Sequence, residues 1–201
     1  MKFKVIETFS GIGAQNTALK NLKSKGILDY EIIGTSDWDV FAAQSYAAIH
    51  YKNYRSKIKT PTDDELDNWI KKNTFSLDGS KPFLNTSTIK KEVKLDWYKA
   101  FKVASNIGTI VDSTTRIKKI IEDNNGVDLL TYSFPCTDLS TAGNFHGFNE
   151  GIKAHTRSGL LLEIEKVLIN LKAIQEERER ERERDAQIYY QNSSYLKMFL
   201  I

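Results

Sequence analysis

Glu7-Thr8-Phe9-Ser10-Gly11-Ile12-Gly13-Ala14 is the stretch that decides the fold. Entering it, Phe3 to Thr8 alternates apolar and polar residues, the period of a strand. Leaving it, Ala14 to Lys25 has the pattern of a helix that stops near Gly26. Gly11 and Gly13 make the turn between them. Glycines let a ligand approach the backbone, and a helix N-terminus favours polar or anionic groups. A plain tight turn is the alternative, because Gly-x-Gly alone has little specificity.

Further along, Glu31 to Thr35 reads as a second short strand, stopped by the acidic pair Asp37 and Asp39. Val40 to Tyr51 follows as a helix with an apolar face. Strand, glycine turn, helix, strand and acid, in that order, open a nucleotide-type α/β sheet, so a Rossmann-like fold is expected. A carboxylate at the end of the second strand can accept hydrogen bonds from ribose hydroxyls. Trp38, beside it, can stack on an adenine. The alternative has Asp37 capping the next helix and Trp38 packing.

Residues 52–105 are more polar and lack a firm period. They read as an insertion with some helix around Asp63 to Lys71. Val127 to Ser133 is apolar on both faces, as a buried parallel strand should be. Thr137 to Thr156 is a long loop carrying Gly143, Gly147 and Gly151, which favours a functional lid. Ser158 to Ala173 reads as a helix with Leu160, Leu161, Ile164, Val167, Leu168 and Leu171 on its buried side.

Cys136 is the single cysteine of 201 residues. It follows Pro135, which breaks the strand and sets the thiol at the carboxyl edge of the sheet, where open α/β folds keep their ligands. A lone cysteine is more often buried filler than nucleophile, but this position favours a nucleophile. One cysteine excludes an intrachain disulfide and fits a reducing compartment. The three histidines have no metal-ligand spacing, so no metal is expected. No apolar run is long enough to span a bilayer, the start has no signal-peptide pattern, and a cytoplasmic location is expected. The net charge of +3 neither requires nor opposes a polyanionic partner.

Phe9-x-Gly11-x-Gly13, the Asp37-Trp38 pair, Phe134-Pro135-Cys136 with Ser140, and Thr156-Arg157-Ser158-Gly159-Leu160-Leu161 resemble successive motifs of the DNA cytosine-5 methyltransferases. The likeness covers about residues 3–173, in the family's order, and is nearest to the bacterial CpG-methylating branch of restriction-modification systems. It implies the N-terminal part of a Rossmann-like catalytic domain, S-adenosylmethionine as cofactor and double-stranded DNA as substrate. A related RNA methyltransferase is the alternative. The resemblance makes Cys136 the nucleophile that adds to C6 of a flipped cytosine, which activates C5 toward methylation. It sets Phe9 against the adenine, Gly11 and Gly13 along the methionine portion, and Asp37 on the ribose. Trp38 stacks, Pro135 and Leu160 complete the cofactor wall, and Ser140 and Arg157 belong to the DNA-facing lid.

The chain departs from the family's pattern in places. Thr137 stands where members commonly carry Gln. Thr109 stands where the family supplies an Asp to the adenine amine, with Asp112 as a substitute. The later Glu-Asn-Val strand, the Gln-x-Arg-x-Arg segment and the target-recognition domain have no counterpart in the sequence. A missing general acid costs about 10²–10⁴-fold in rate. A separately encoded C-terminal half is therefore an expected partner.

Residues 174–201 change character. Glu177 to Arg184 alternates Glu and Arg, which reads as a solvated helix with i,i+3 ion pairs. Alternating GAG and AGA codons, a repeated AG dinucleotide, would encode the same run. Such tracts gain and lose units, and codons for Leu196 to Phe199 can hide Glu-Asn-Val in another frame. On that reading, residues after the tract are a frame-shifted tail and the gene is phase-variable, its product inactive alone.

Overall fold

In the computed structural model, residues 2–135 and 158–198 are described, with side chains through Arg184 apart from those of Ser158 and Arg178. Three parallel strands form the sheet: β1 (Phe3–Thr8), β2 (Tyr30–Ser36) and β3 (Leu129–Tyr132), in the order β2-β1-β3. β1 pairs with β2 from Phe3 opposite Tyr30 to Thr8 opposite Ser36, with a register shift between Val5 and Ile6. It pairs with β3 from Val5 opposite Leu129 to Thr8 opposite Tyr132. All three strands therefore present their carboxyl ends on one side.

The first βα unit forms as its sequence predicts. Helix α1 runs Ala14–Ser24 and places Leu19 against Val5 and Tyr30. Helix α2 runs Val40–His50, capped by the Asp39 side chain, which accepts from the N–H groups of Phe41 and Ala42. The acid that stops β2 thus also starts α2, satisfying two of its orphan donors.

The polar stretch after α2 is more ordered than its sequence suggests. It contains α3 (Tyr54–Lys57), α4 (Asp63–Lys72) and α5 (Lys91–Val103). Thr62 and Glu65 close α4 with a reciprocal capping box. Phe75, Trp97 and Phe101 form a second core with Val40, Ala43, Leu66 and Ile70, and Trp69 packs on its edge. Phe75 meets the rings of Trp69, Trp97 and Phe101 with centroids 5.1–5.7 Å apart, all tilted or edge-on. The stretch read as an insertion thus builds an aromatic core together with α2, against which its helices pack.

Helix α6 (Thr114–Asp123) puts Ile117 and Ile121 into the main core with Ile6, Ile33, Ile164 and Val167. The third strand differs from expectation. It is shorter than Val127 to Ser133 and is not buried: Leu129 is 37% and Tyr132 is 44% exposed. Among the described residues, β3 has a β-partner on the β1 side alone.

The final helix also differs. Ser158–Leu160 forms a turn of 3-10 helix, and α7 then runs Leu161–Met198 without a break through the Glu-Arg run. Its 38 residues reach roughly 57 Å at 1.5 Å per residue. Its first turns bury Ile164 and Val167; from Gln175 through Arg184 the described side chains are exposed. In the run, opposite charges stand three apart and like charges four apart, which largely offset each other. Arg180 and Arg184 instead donate to the backbone carbonyls of Glu176 and Arg180, one turn back.

Candidate functional site: a pocket at the carboxyl ends of the strands

The βα turn after β1 is held from three directions. Ser10 donates its N–H to the Ser36 carbonyl at 3.1 Å. Gly13 donates to Ser10 at 2.8 Å. Gly11 donates its N–H to Asp37 Oδ2, also at 2.8 Å. Asp37 Oδ1 accepts the N–H of Asp39 at 2.9 Å. Both Asp37 oxygens are therefore oriented by the backbone, with a lone pair left on each. Burial pushes the Asp37 carboxyl above its ordinary value, while these N–H groups pull the other way.

Gly11 and Gly13 are both in left-handed backbone, at φ +52° and +85°. They do different work. Nothing stands within 4 Å of a side chain added at Gly11. A Cβ at Gly13 would lie 2.0 Å from His50 Nε2 and 2.8 Å from the Tyr46 ring. Gly13 is thus a close-packing glycine between α1 and α2, and neither glycine is among the residues lining the pocket.

That pocket has a volume of about 300 Å³. Six of the residues singled out in the sequence meet there: Phe9, Asp37, Trp38, Thr109, Pro135 and Leu160. They come from the turn after β1, the end of β2, the segment before α6, the residues after β3 and the 3-10 turn before α7. Phe9 is held at φ +51°, outside the backbone region that side chains favour.

The Thr109 wall is held in place by hydrogen bonds. Asn106 Oδ1 accepts the N–H groups of Asp37 and Gly108, and Ser36 Oγ donates to the Gly108 carbonyl. The Arg116 guanidinium donates to the carbonyls of Ile107, Thr109 and Val111, clamping the loop from α6. The Thr109 hydroxyl accepts the Val111 N–H at 3.2 Å, so one of its lone pairs is used locally. Asp112 is exposed, donates its N–H to Glu163 and is not among the residues lining the pocket.

The insertion supplies a further wall. Ser76 pairs with the β2–α2 junction, donating its N–H to the Trp38 carbonyl at 2.9 Å and accepting that of Val40 at 3.0 Å. The turn that follows brings Gly79 to the pocket beside Asp39.

Behind the turn lies a buried polar cluster. Glu7, 1% exposed, accepts the Tyr46 hydroxyl at 2.9 Å and the Asn16 N–H at 3.3 Å. Asn16 donates to Tyr46 and accepts the Tyr30 hydroxyl. This network ties β1, α1, β2 and α2 together under the pocket.

Cys136, Ser140 and Arg157 lie outside the described residues, as does the whole of the loop read as a lid, Thr137 to Thr156. The last residue described before them is Pro135, which lines the pocket. Among the described residues, no group of three or more His, Cys, Asp or Glu could hold a metal ion. No helix there is long and apolar enough to cross a membrane.

The chain is similar to known proteins over most of its length. Residues 83–173 match the family model of the C-5 cytosine-specific DNA methylases. The chain is 38% identical over 172 residues to the orphan methyltransferase M.SssI of Spiroplasma monobiae, covering 83% of this chain and 42% of that protein. It is 36% identical over 174 residues to the type II methyltransferase M2.ScrFI of Lactococcus lactis subsp. cremoris, covering 84% and 44%. A 49-residue stretch is 49% identical to the orphan methyltransferase M.SPBetaI of Bacillus phage SPbeta. The chain spans less than half the length of the first two relatives. By these matches residues 83–173 carry a C-5 cytosine-specific DNA methylase domain, and most of the chain is similar to DNA methyltransferases.

Proposed function

We propose that the chain is the cofactor-binding and nucleophile-bearing part of a DNA cytosine-5 methyltransferase with a Rossmann-like fold. The observation that carries this reading is the convergence of Phe9, Asp37, Trp38, Thr109, Pro135 and Leu160 on one pocket, with Cys136 next in the chain. S-adenosylmethionine fits these residues. Trp38 and Phe9 supply aromatic faces for an adenine, Asp37 keeps lone pairs for ribose hydroxyls, and Leu160 and Pro135 give apolar wall. About 300 Å³ suits the adenosine part of such a ligand.

Bound there, S-adenosylmethionine would supply an electrophilic methyl group. Cys136 does the activating step. Its thiolate adds to C6 of a flipped cytosine, forming the S–C6 bond and moving an electron pair to C5. C5 takes the methyl group, then loses its proton; the electrons left behind re-form the C5–C6 double bond and expel the thiolate. A soft, readily departing thiolate suits both the addition and the expulsion. Ser140 and Arg157 belong to the loop that faces DNA.

Two further readings concern completeness. An edge of β3 without a strand among the described residues favours a partner: a second chain carrying further strands and a DNA-recognition segment would complete the enzyme. The Glu177–Arg184 run is read as a slippage-prone AG repeat in a phase-variable gene, residues 174–201 being frame-shifted. Sequencing the locus tests that, since downstream DNA without an in-register remainder of the enzyme rejects it.

Coexpression with a C-terminal portion of a related methyltransferase, assayed by labelled methyl transfer, tests the main reading. DNA should be labelled and RNA should not. Cys136→Ser should abolish transfer and keep cofactor binding. Transfer retained by that variant would remove Cys136 as nucleophile.

A further inference from the structure

Asp37 is one of two carboxylates at the pocket mouth. The other, Asp39, has a different set of commitments. Its Oδ1 accepts the N–H groups of Phe41 at 2.8 Å and Ala42 at 3.0 Å, the cap of α2. Its own N–H donates to Asp37 Oδ1. Its Oδ2 has no hydrogen-bond partner among the described residues, yet Asp39 lines the pocket. The cap fixes the side chain, so the second oxygen is held in place without being used.

Gly79 stands over that oxygen. It lines the same pocket at φ +67°, and a Cβ there would come 3.4 Å from Asp39 Oδ2. The turn carrying it is rigid. Asp78 Oδ1 accepts the N–H groups of Ser80 and Lys81 and the hydroxyl of Ser76, and these bonds hold its carboxyl well below the usual range. Ser76 is fully buried and paired to the Trp38–Val40 backbone, and Phe75 before it is fully buried in the aromatic core. A glycine leaves Asp39 Oδ2 uncovered, where any side chain would narrow access to it.

We propose that Asp39 Oδ2 is a second ribose-hydroxyl acceptor of the adenosine pocket, kept accessible by Gly79 on a turn contributed by the insertion. This rests on the proposed adenosyl ligand and extends it. Asp37 and Asp39, joined by one hydrogen bond, each take one hydroxyl, and the aromatic core of the insertion is what holds the second wall. Discrimination against deoxyribose ligands is then shared between the end of β2 and the insertion.

The test is calorimetric binding of S-adenosylhomocysteine, and of its 2′-deoxy and 3′-deoxy analogues, to the full chain and to Asp39→Asn. Asn caps helices as well as Asp does, so the cap oxygen stays and Oδ2 becomes an amide nitrogen. Losing one hydroxyl–carboxylate bond should weaken S-adenosylhomocysteine roughly tenfold or more. One of the two deoxy analogues should show no further loss in the variant. Gly79→Leu should reproduce the weakening, and the melting temperature of each variant checks folding. Equal affinity of the wild type and Asp39→Asn for all three ligands overturns the inference and leaves the adenosyl reading intact. A wild type that binds none of the three overturns both.

Discussion

β2 and β3 flank the same central strand, run in the same direction and end at the same pocket, but their surroundings differ. β2 buries Tyr30, Ile33, Thr35 and Ser36 to 8% exposure or less, and the segment at Ser105–Ile107 pairs along its outer side. The junction after it is sealed by the aromatic core of the insertion. β3 leaves Leu129 and Tyr132 partly exposed, and its outer edge carries no strand among the described residues. Among the described residues, β2 is covered on its outer side and β3 is not.

The largest expected effect breaks the covered side. Phe75→Ala removes a ring that is fully buried among three other aromatic rings. It should cost about 3–5 kcal/mol in chemical denaturation. Because Ser76 pairs with the Trp38–Val40 backbone, ligand binding should weaken in the variant even where it remains folded. A loss below about 1 kcal/mol would show that the insertion is not integral to the fold.

The next effect sharpens the pocket itself. Trp38 is half-buried and lines the cavity, so its ring is available to a ligand. Trp38→Ala should weaken S-adenosylhomocysteine by about 1–3 kcal/mol, by analogy with base stacking on aromatic side chains. The melting temperature of the ligand-free chain should change little. The reverse pattern, unchanged affinity with a lower melting temperature, would make Trp38 a packing residue.

The smallest effect concerns the floor under both strands. Burial raises the Glu7 carboxyl above its ordinary value, against the hydrogen bonds from Tyr46 and Asn16. Between the ordinary and the raised value, the folded chain keeps a proton that the unfolded chain has released. Stability should therefore fall as pH rises through that window. Asp37 is raised as well and contributes with the same sign. Burial holds His50 below its ordinary value, which works the other way, so the readout is the difference between the parent and Glu7→Gln in melting temperature followed upward from about pH 4. Glu7→Gln should lose less than the parent, keeping the part due to Asp37. An unchanged slope would remove Glu7 as a source of the pH dependence.

Much of the first βα unit was legible in the sequence because local signals agreed there. Alternation gave β1, the glycines gave the turn, and the acidic pair Asp37 and Asp39 stopped β2; the cap of α2, weighed at Asp37, is Asp39. The pocket's contributors were legible one by one, and six of them do meet. Gly13 was read as a ligand-facing glycine, but the space it leaves is filled by His50, which lies 37 residues later. Arg116 and Gly79 were not singled out, because each acts on groups distant in sequence; Asp39 was read as one of the acids that stop β2, without its place in the pocket. Asp39 gave one signal, a cap residue at a strand's end. The second core escaped notice because Trp69, Phe75, Trp97 and Phe101 sit on helices and a turn without a shared period. The Glu-Arg run was read as a helix in one of its two readings, and α7 runs through it.

Binding of the methyl donor by the unmodified chain tests the central claim most directly. Titrated with S-adenosylmethionine, the chain should show one saturable site that S-adenosylhomocysteine blocks and that NAD does not occupy. A flat titration, or NAD competing as well as S-adenosylhomocysteine, would contradict the assignment of this pocket.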